Sequence, residues 1–195
     1  MILPIVAYGD PVLRKVGAEI DKEYPQLETL IANMKETMYK ASGVGLAAPQ
    51  IGKAIRLFLV DTSPFGDDEE LEEDERAFLA DFNHVFINPK ILKEEGDEWA
   101  FNEGCLSIPD VREDVFRQEQ VTFEYQDEKF EKHSMTLNGI AARVFQHEYD
   151  HIDGILFTDK LSSLKKRLIK KKLENISKGK VTADYRMRFP KQKKK

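Results

Sequence analysis

No part of this chain leaves less freedom than Asn138 to Gly154, which reads NGIAARVFQHEYDHIDG. Ile140, Val144, His147 and His151 step by four, three and four residues, so at about 100° per residue they share one face of a helix. Asn138 is placed to cap its start and Gly154 to end it. That face sets two imidazoles beside two aliphatic side chains. Bare imidazoles are costly in apolar company unless a metal or hydrogen bonds engage them, so the pattern predicts a central helix with a metal site on it.

The spacing also divides the chemistry. His147 and His151 lie one turn apart and can bind one ion together, while Glu148 lies some 60° to 100° around the helix. Such an ion lowers the pKa of a coordinated water toward neutrality, and Glu148 can take the proton and pass it to a leaving group. An HExxH stretch arises by chance in roughly one chain of this length in a few hundred, so the third ligand decides what the motif means. The long metalloprotease signature HExxHxxGxxH is matched through Gly154 but ends on Phe157. Glu174 follows in a lysine-rich helix, where a surface ion pair accounts for it. The strong candidate is the only cysteine, Cys105 in EGCLSIP, whose thiolate would give a Cys/His/His set with the fourth position open.

The surroundings read as α+β. Leu27, Leu30, Ile31, Met34 and Met38 recur at helical spacing and predict a first helix over 25–41. IRLFLVD (55–61), HVFINP (84–89), VTFEYQ and KFEKHSMTL read as strands, with an antiparallel arrangement expected. Between the first two, eight of the nine residues from Asp67 to Glu75 are acidic, and the insert 63–83 is expected to be a disordered, solvated loop. A third helix is expected from about Asp159, with Leu161, Leu164, Leu168, Ile169, Leu173 and Ile176 on one side and a basic opposite face. These elements predict antiparallel sheets packed around a central HExxH helix, with a C-terminal helix: one catalytic domain over 1–178 and a basic, mobile tail over 179–195. Lys and Arg outnumber Asp and Glu 15 to 2 over 160–195, and are outnumbered 15 to 33 over 1–159, so the two parts seek different surroundings. With one cysteine no internal disulfide can form, and no apolar run approaches a membrane span; a cytoplasmic protein is expected.

Three separated segments, GVGLAAPQ (43–50), EGCLSIP (103–109) and QHEYDHIDG (146–154), are similar to the signature motifs of bacterial peptide deformylases. The resemblance implies hydrolysis of the formyl group from the initiator methionine of nascent polypeptides, releasing formate. It implies Cys105, His147 and His151 as ligands of one divalent ion, iron(II) foremost with zinc, nickel or cobalt able to replace it. Glu148 would be general base and acid. The amide of Gln50 and the backbone N–H of Leu106 would receive the growing oxyanion. Val44 and Gly45 would pair with the peptide backbone, Ile140, Val144 and Ile108 would line the methionine pocket, and Glu103 would pair with Arg112 or Arg143. The enzyme would act as a monomer, and its basic C-terminal helix would approach the ribosome. Two other readings make different predictions: a zinc endopeptidase for which Cys105 is dispensable, and a nucleic-acid-binding protein with a structural metal.

Overall fold

In the computed structural model, which describes residues 1–191, the chain forms in order β1 (Ile5–Val6), α1 (Leu27–Lys40), β2 (Gly45–Ala47), β3 (Leu57–Asp61), α2 (Glu73–Asp81), β4 (Asn83–Cys105), β5 (Ile108–Gln126), β6 (Lys132–Asn138), α3 (Gly139–Ile152), α4 (Ser163–Ser177) and β7 (Met187–Arg188). Strands β2 to β6 make one antiparallel sheet in sequence order, and β1 pairs with β7 in a small parallel one.

The alternation of side chains along β3 explains how two helices are held. Leu57 and Leu59 point into a cluster with Leu30, Met34 and Met38 of α1, while Phe58 and Val60 point into the cluster that receives α3. Phe145 of α3 is the centre of that second cluster. It stacks on Phe123 with centroids 3.7 Å apart and meets Phe58 and Phe86 edge-on at 5.2 and 5.1 Å. Twelve of the fourteen residues of α3 are buried, so the helix carrying the histidines runs through the interior as predicted.

Strands β4 and β5 form a long hairpin interrupted by register shifts, and bulges of this kind bend and twist a ribbon. The hairpin closes on the pair Cys105 and Ile108, which leaves Leu106 and Ser107 as its two-residue turn. Cys105 is thereby presented at a strand end against α3. Gly154, at φ +74°, ends α3 as expected. Asn138 precedes the helix without capping it, because its side chain accepts from Gln120 Nε2 at 2.7 Å.

Three expectations are corrected. The acidic insert is folded: a 3-10 turn (Ser63–Asp67) and α2 bury Leu79 and Phe82, and Thr62 Oγ1 donates to Leu79 O at 2.8 Å. Acidic residues in the first turn of α2 complement its helix dipole. The third helix begins later than Asp159. A 3-10 turn (Phe157–Lys160) comes first, and α4 starts after Ser162, whose Oγ accepts from Lys165 N at 3.3 Å. Leu164 and Leu168 are 58% and 70% exposed, because they lie about 80° to 140° around α4 from the buried Ile169 and Ile176. The tail is not free over its described part, since β7 pairs with β1 and Phe189 packs against a further apolar cluster that includes Leu13, Ile108 and Phe157; residues 192–195 lie outside the described residues.

Candidate metal centre

Helix α3 brings His147 and His151 to the end of β4. One ligand atom from each of Cys105, His147 and His151 lies within 4.8 Å of the other two. Cys105 Sγ stands 3.3 Å from His151 Nε2. The opposite nitrogen of His147, Nδ1, is 2.8 Å from Glu103 Oε2, which orients the ring and leaves Nε2 for the cluster. Phe157, where a protease would carry its third histidine, stacks beside the His147 ring at 6.0 Å.

Glu103 is held in turn by two buried arginines. Arg117 donates from Nε and Nη2 to its two oxygens at 2.7 and 3.0 Å, and Arg143 Nη1 donates to Oε1 at 3.1 Å. Arg117 Nη1 also donates to Asp150 Oδ2 at 2.7 Å. Of the two expected partners of Glu103, Arg143 is present. Arg112 is directed instead to Asn102, donating to its Oδ1 and carbonyl at 2.9 and 2.6 Å. Arg117 was not foreseen: it lies opposite Trp99, four residues from Glu103 on the same face in unbroken register, and the sequence alone does not show which residues of β4 and β5 are paired.

The electrostatics follow from this enclosure. Burial alone would raise the Glu103 carboxyl, but hydrogen bonds from His147 and Arg117 hold it well below the usual carboxylate range. Burial works against charge on His147 too, yet hydrogen bonds to Cys105 and Glu103 leave its pKa well above normal in the metal-free protein. His151 is shifted the other way, by burial and then by the charge of His147. Burial pushes Glu148 up to about 7, in the range of a general base that works near neutrality. A cysteine sulfur and two imidazoles form a donor set that a divalent cation can occupy by displacing protons. Oε2 of Glu148 is buried with no hydrogen-bond partner among the described residues, which fits a carboxylate kept beside a cation site; the unpartnered Nδ1 of His151 lies on the side of its ring away from Cys105.

The first motif packs over the same cluster. Gln50 is buried; its Oε1 accepts from Ala47 N at 2.8 Å, so Nε2 faces Cys105 Sγ at 3.5 Å and Ser107 Oγ at 3.4 Å. Asp61 N donates to the Val44 carbonyl at 2.9 Å, so that carbonyl is already engaged. By the alternation of an antiparallel ladder, the Gly45 N–H and C=O then face away from β3, along the sheet edge. A cavity of about 700 Å³ opens here, lined among others by Val44, Gly45, Ile108, Val144 and Glu148. Phe65 of the acidic insert, Phe101 and Tyr185 also line it, and sequence reasoning named none of them. Ile140 lies in the core cluster behind Val144.

An interior helix bearing two ligands, a third ligand from a strand end, a buried carboxylate and an open cleft define a metal-dependent hydrolase. Comparison with known proteins narrows the class. The polypeptide deformylase family profile matches residues 2–167. The chain is 68% identical over 194 residues to a peptide deformylase of Christiangramia forsetii, covering 100% of this chain and 99% of that one. It is 64% identical over 194 residues to that of Flavobacterium johnsoniae, with the same coverage. The crystal structure of a peptide deformylase from Legionella pneumophila superimposes with a TM-score of 0.76 at 37% identity, covering 91% of this chain and 96% of that one. The chain belongs to the polypeptide deformylase family, and its reaction is hydrolysis of the N-formyl group of nascent peptides. Neither the endopeptidase nor the nucleic-acid-binding reading accounts for that membership.

Proposed function

We propose that Cys105, His147 and His151 hold one divalent ion, iron(II) foremost, with zinc, nickel or cobalt able to replace it, and that Glu148, Gln50 and Leu106 carry out deformylation around it. The observation that carries this reading is the convergence on one cleft of three ligand atoms, a buried carboxylate and the directed amide of Gln50. When bound, the ion supplies Lewis acidity that makes water nucleophilic near neutral pH. Glu148 accepts a proton from the attacking water and delivers it to the departing amine nitrogen, so the C–N bond breaks to give formate and a free amine. Gln50 Nε2 and the Leu106 N–H donate to the formyl oxygen as negative charge grows on it.

The edge groups of Gly45 pair with the substrate main chain, and Val144, Ile108 and Phe101 enclose the methionine side chain, with Ile140 backing Val144. Val44 contributes its wall position more than its carbonyl, which Asp61 occupies. Every one of these groups comes from one chain, so the site can act in a monomer. Among the described residues no helix is long and apolar enough to cross a membrane, and the single cysteine suits a reducing cytoplasm.

The outer face of α4 exposes Lys166, Arg167, Lys170, Lys171 and Lys172, which supports a salt-sensitive approach to ribosomal RNA phosphates. The test of the catalytic assignment is Glu148→Ala: the variant should keep its metal and lose formate release. A variant that deformylates at the wild-type rate would remove Glu148 from its role.

A further inference from the structure

The cleft has a wall that the family profile does not include. The profile ends at residue 167, yet Thr182 to Tyr185 line the cavity beside the ligand cluster. The segment is fastened beyond them: Ile5 N donates to Arg186 O and Ala7 N to Arg188 O, both at 2.9 Å. At its inner end it reaches the hairpin turn that follows Cys105. Tyr185 Oη donates to the Leu106 carbonyl at 2.8 Å, and from the other side Tyr8 N donates to the Ser107 carbonyl at 2.8 Å. Both carbonyls of the two-residue turn are thus held by the two arms of the small parallel sheet.

That hold matters because of what the turn carries. The Leu106 carbonyl shares its planar peptide unit with the Ser107 N–H, and the Leu106 N–H belongs to the unit before it; with the turn closed by the Cys105–Ile108 pair, fixing the Leu106 carbonyl limits ψ of Leu106 and so the range over which its N–H can turn. A donor aimed at a developing oxyanion is effective only if it is fixed before the charge appears. The phenol is suited to that role, because burial, then the nearby Cys105, Asp110 and Asp184, push its pKa up and keep it a donor. We propose that Tyr185 is a positioning residue for deformylation, holding the Leu106–Ser107 turn so that the Leu106 N–H points into the cleft. This rests on the assignment of Leu106 as an oxyanion donor made above.

The test is Tyr185→Phe in the full chain, which removes the hydroxyl and keeps the ring. Two readouts separate positioning from simple stability. Amide exchange followed by NMR should quicken by about threefold or more at Tyr8, whose N–H is held on the Ser107 carbonyl of the turn, with amides of α3 unchanged, as expected for losing one ordinary hydrogen bond that fixes the turn. The kcat for formate release from a formyl-methionyl peptide should fall about three- to tenfold, with KM within about twofold and metal per chain unchanged. Unchanged exchange at Tyr8 overturns the proposal, and so does faster exchange with wild-type kcat. If the wild type itself releases no formate, the deformylase reading fails, while the exchange data still decide whether Tyr185 holds the turn.

Discussion

Replacing Gly45 by alanine measures how closely the site is built. Gly45 is buried on β2 and its φ lies outside the left-handed region, so its backbone accepts an L side chain and space is the only obstacle. A Cβ at this position would stand 2.7 Å from both Cγ and Cδ of Glu148, where ordinary contact begins at 3.4 Å. Glu148 is 4% exposed and cannot swing into solvent. Either its carboxylate retreats by about 0.7 Å or more, or β2 moves; a misplacement near 1 Å costs on the order of a hundredfold in rate, and overpacking costs about 1–3 kcal/mol. Steady-state formate release, metal content and denaturant unfolding would be measured on Gly45→Ala. The expected result is kcat lower by about a hundredfold and stability lower by about 1–3 kcal/mol, with the metal retained. Wild-type kcat in this variant would show that the fit between β2 and Glu148 does not set the rate, and would refute the reasoning.

Two further predictions concern the buried charges. Glu103→Gln leaves Arg117 and Arg143 without their carboxylate and should cost about 3–5 kcal/mol of unfolding free energy near pH 7. Because the folded state holds Glu103 below its ordinary 4.5, its contribution is full above that pH and is lost as the pH falls further; the gap between wild type and Glu103→Gln should therefore narrow on acidification, and parallel pH curves would contradict the assignment. Glu148 has the opposite sign. Its carboxyl is raised from 4.5 to about 7, so the unfolded chain gives up its proton first and metal-free protein loses stability as the pH rises between those values. Glu148→Gln should therefore stabilise metal-free protein by about 3 kcal/mol above pH 7, and calorimetry showing no gain would contradict burial as the cause.

What could be read from sequence was what repeats with a fixed period. The face shared by Val144, His147 and His151 follows from helical geometry alone, and the apolar spacing of α1 located a helix that runs Leu27–Lys40. Cys105 was legible because the chain holds no other thiol. The arginine beside Glu103 was only half legible, since Arg117 reaches it from the strand paired with β4, and that pairing is not written in either strand's own alternation. In the acidic insert, charge hid the few apolar residues that matter: Leu79 and Phe82 suffice to dock α2. Along α4, five apolar residues look like one stripe until their angles are taken, and of these Ile169, Leu173 and Ile176 meet the body while Leu164 and Leu168 do not. Tyr185 gave no signal because its partner is a backbone carbonyl 79 residues away, and no periodicity marks such a pair.

The central claim is that one ion, held by Cys105 with the two histidines, performs deformylation. Protein prepared without oxygen, because both iron and its thiolate ligand oxidise, should be assayed for metal per chain and for formate release from a formyl-methionyl peptide, alongside Cys105→Ser. The account predicts about one ion per chain and steady formate release in the wild type, with both sharply reduced in the variant. Bound metal without formate release in the wild type, or undiminished metal and rate in Cys105→Ser, would contradict it.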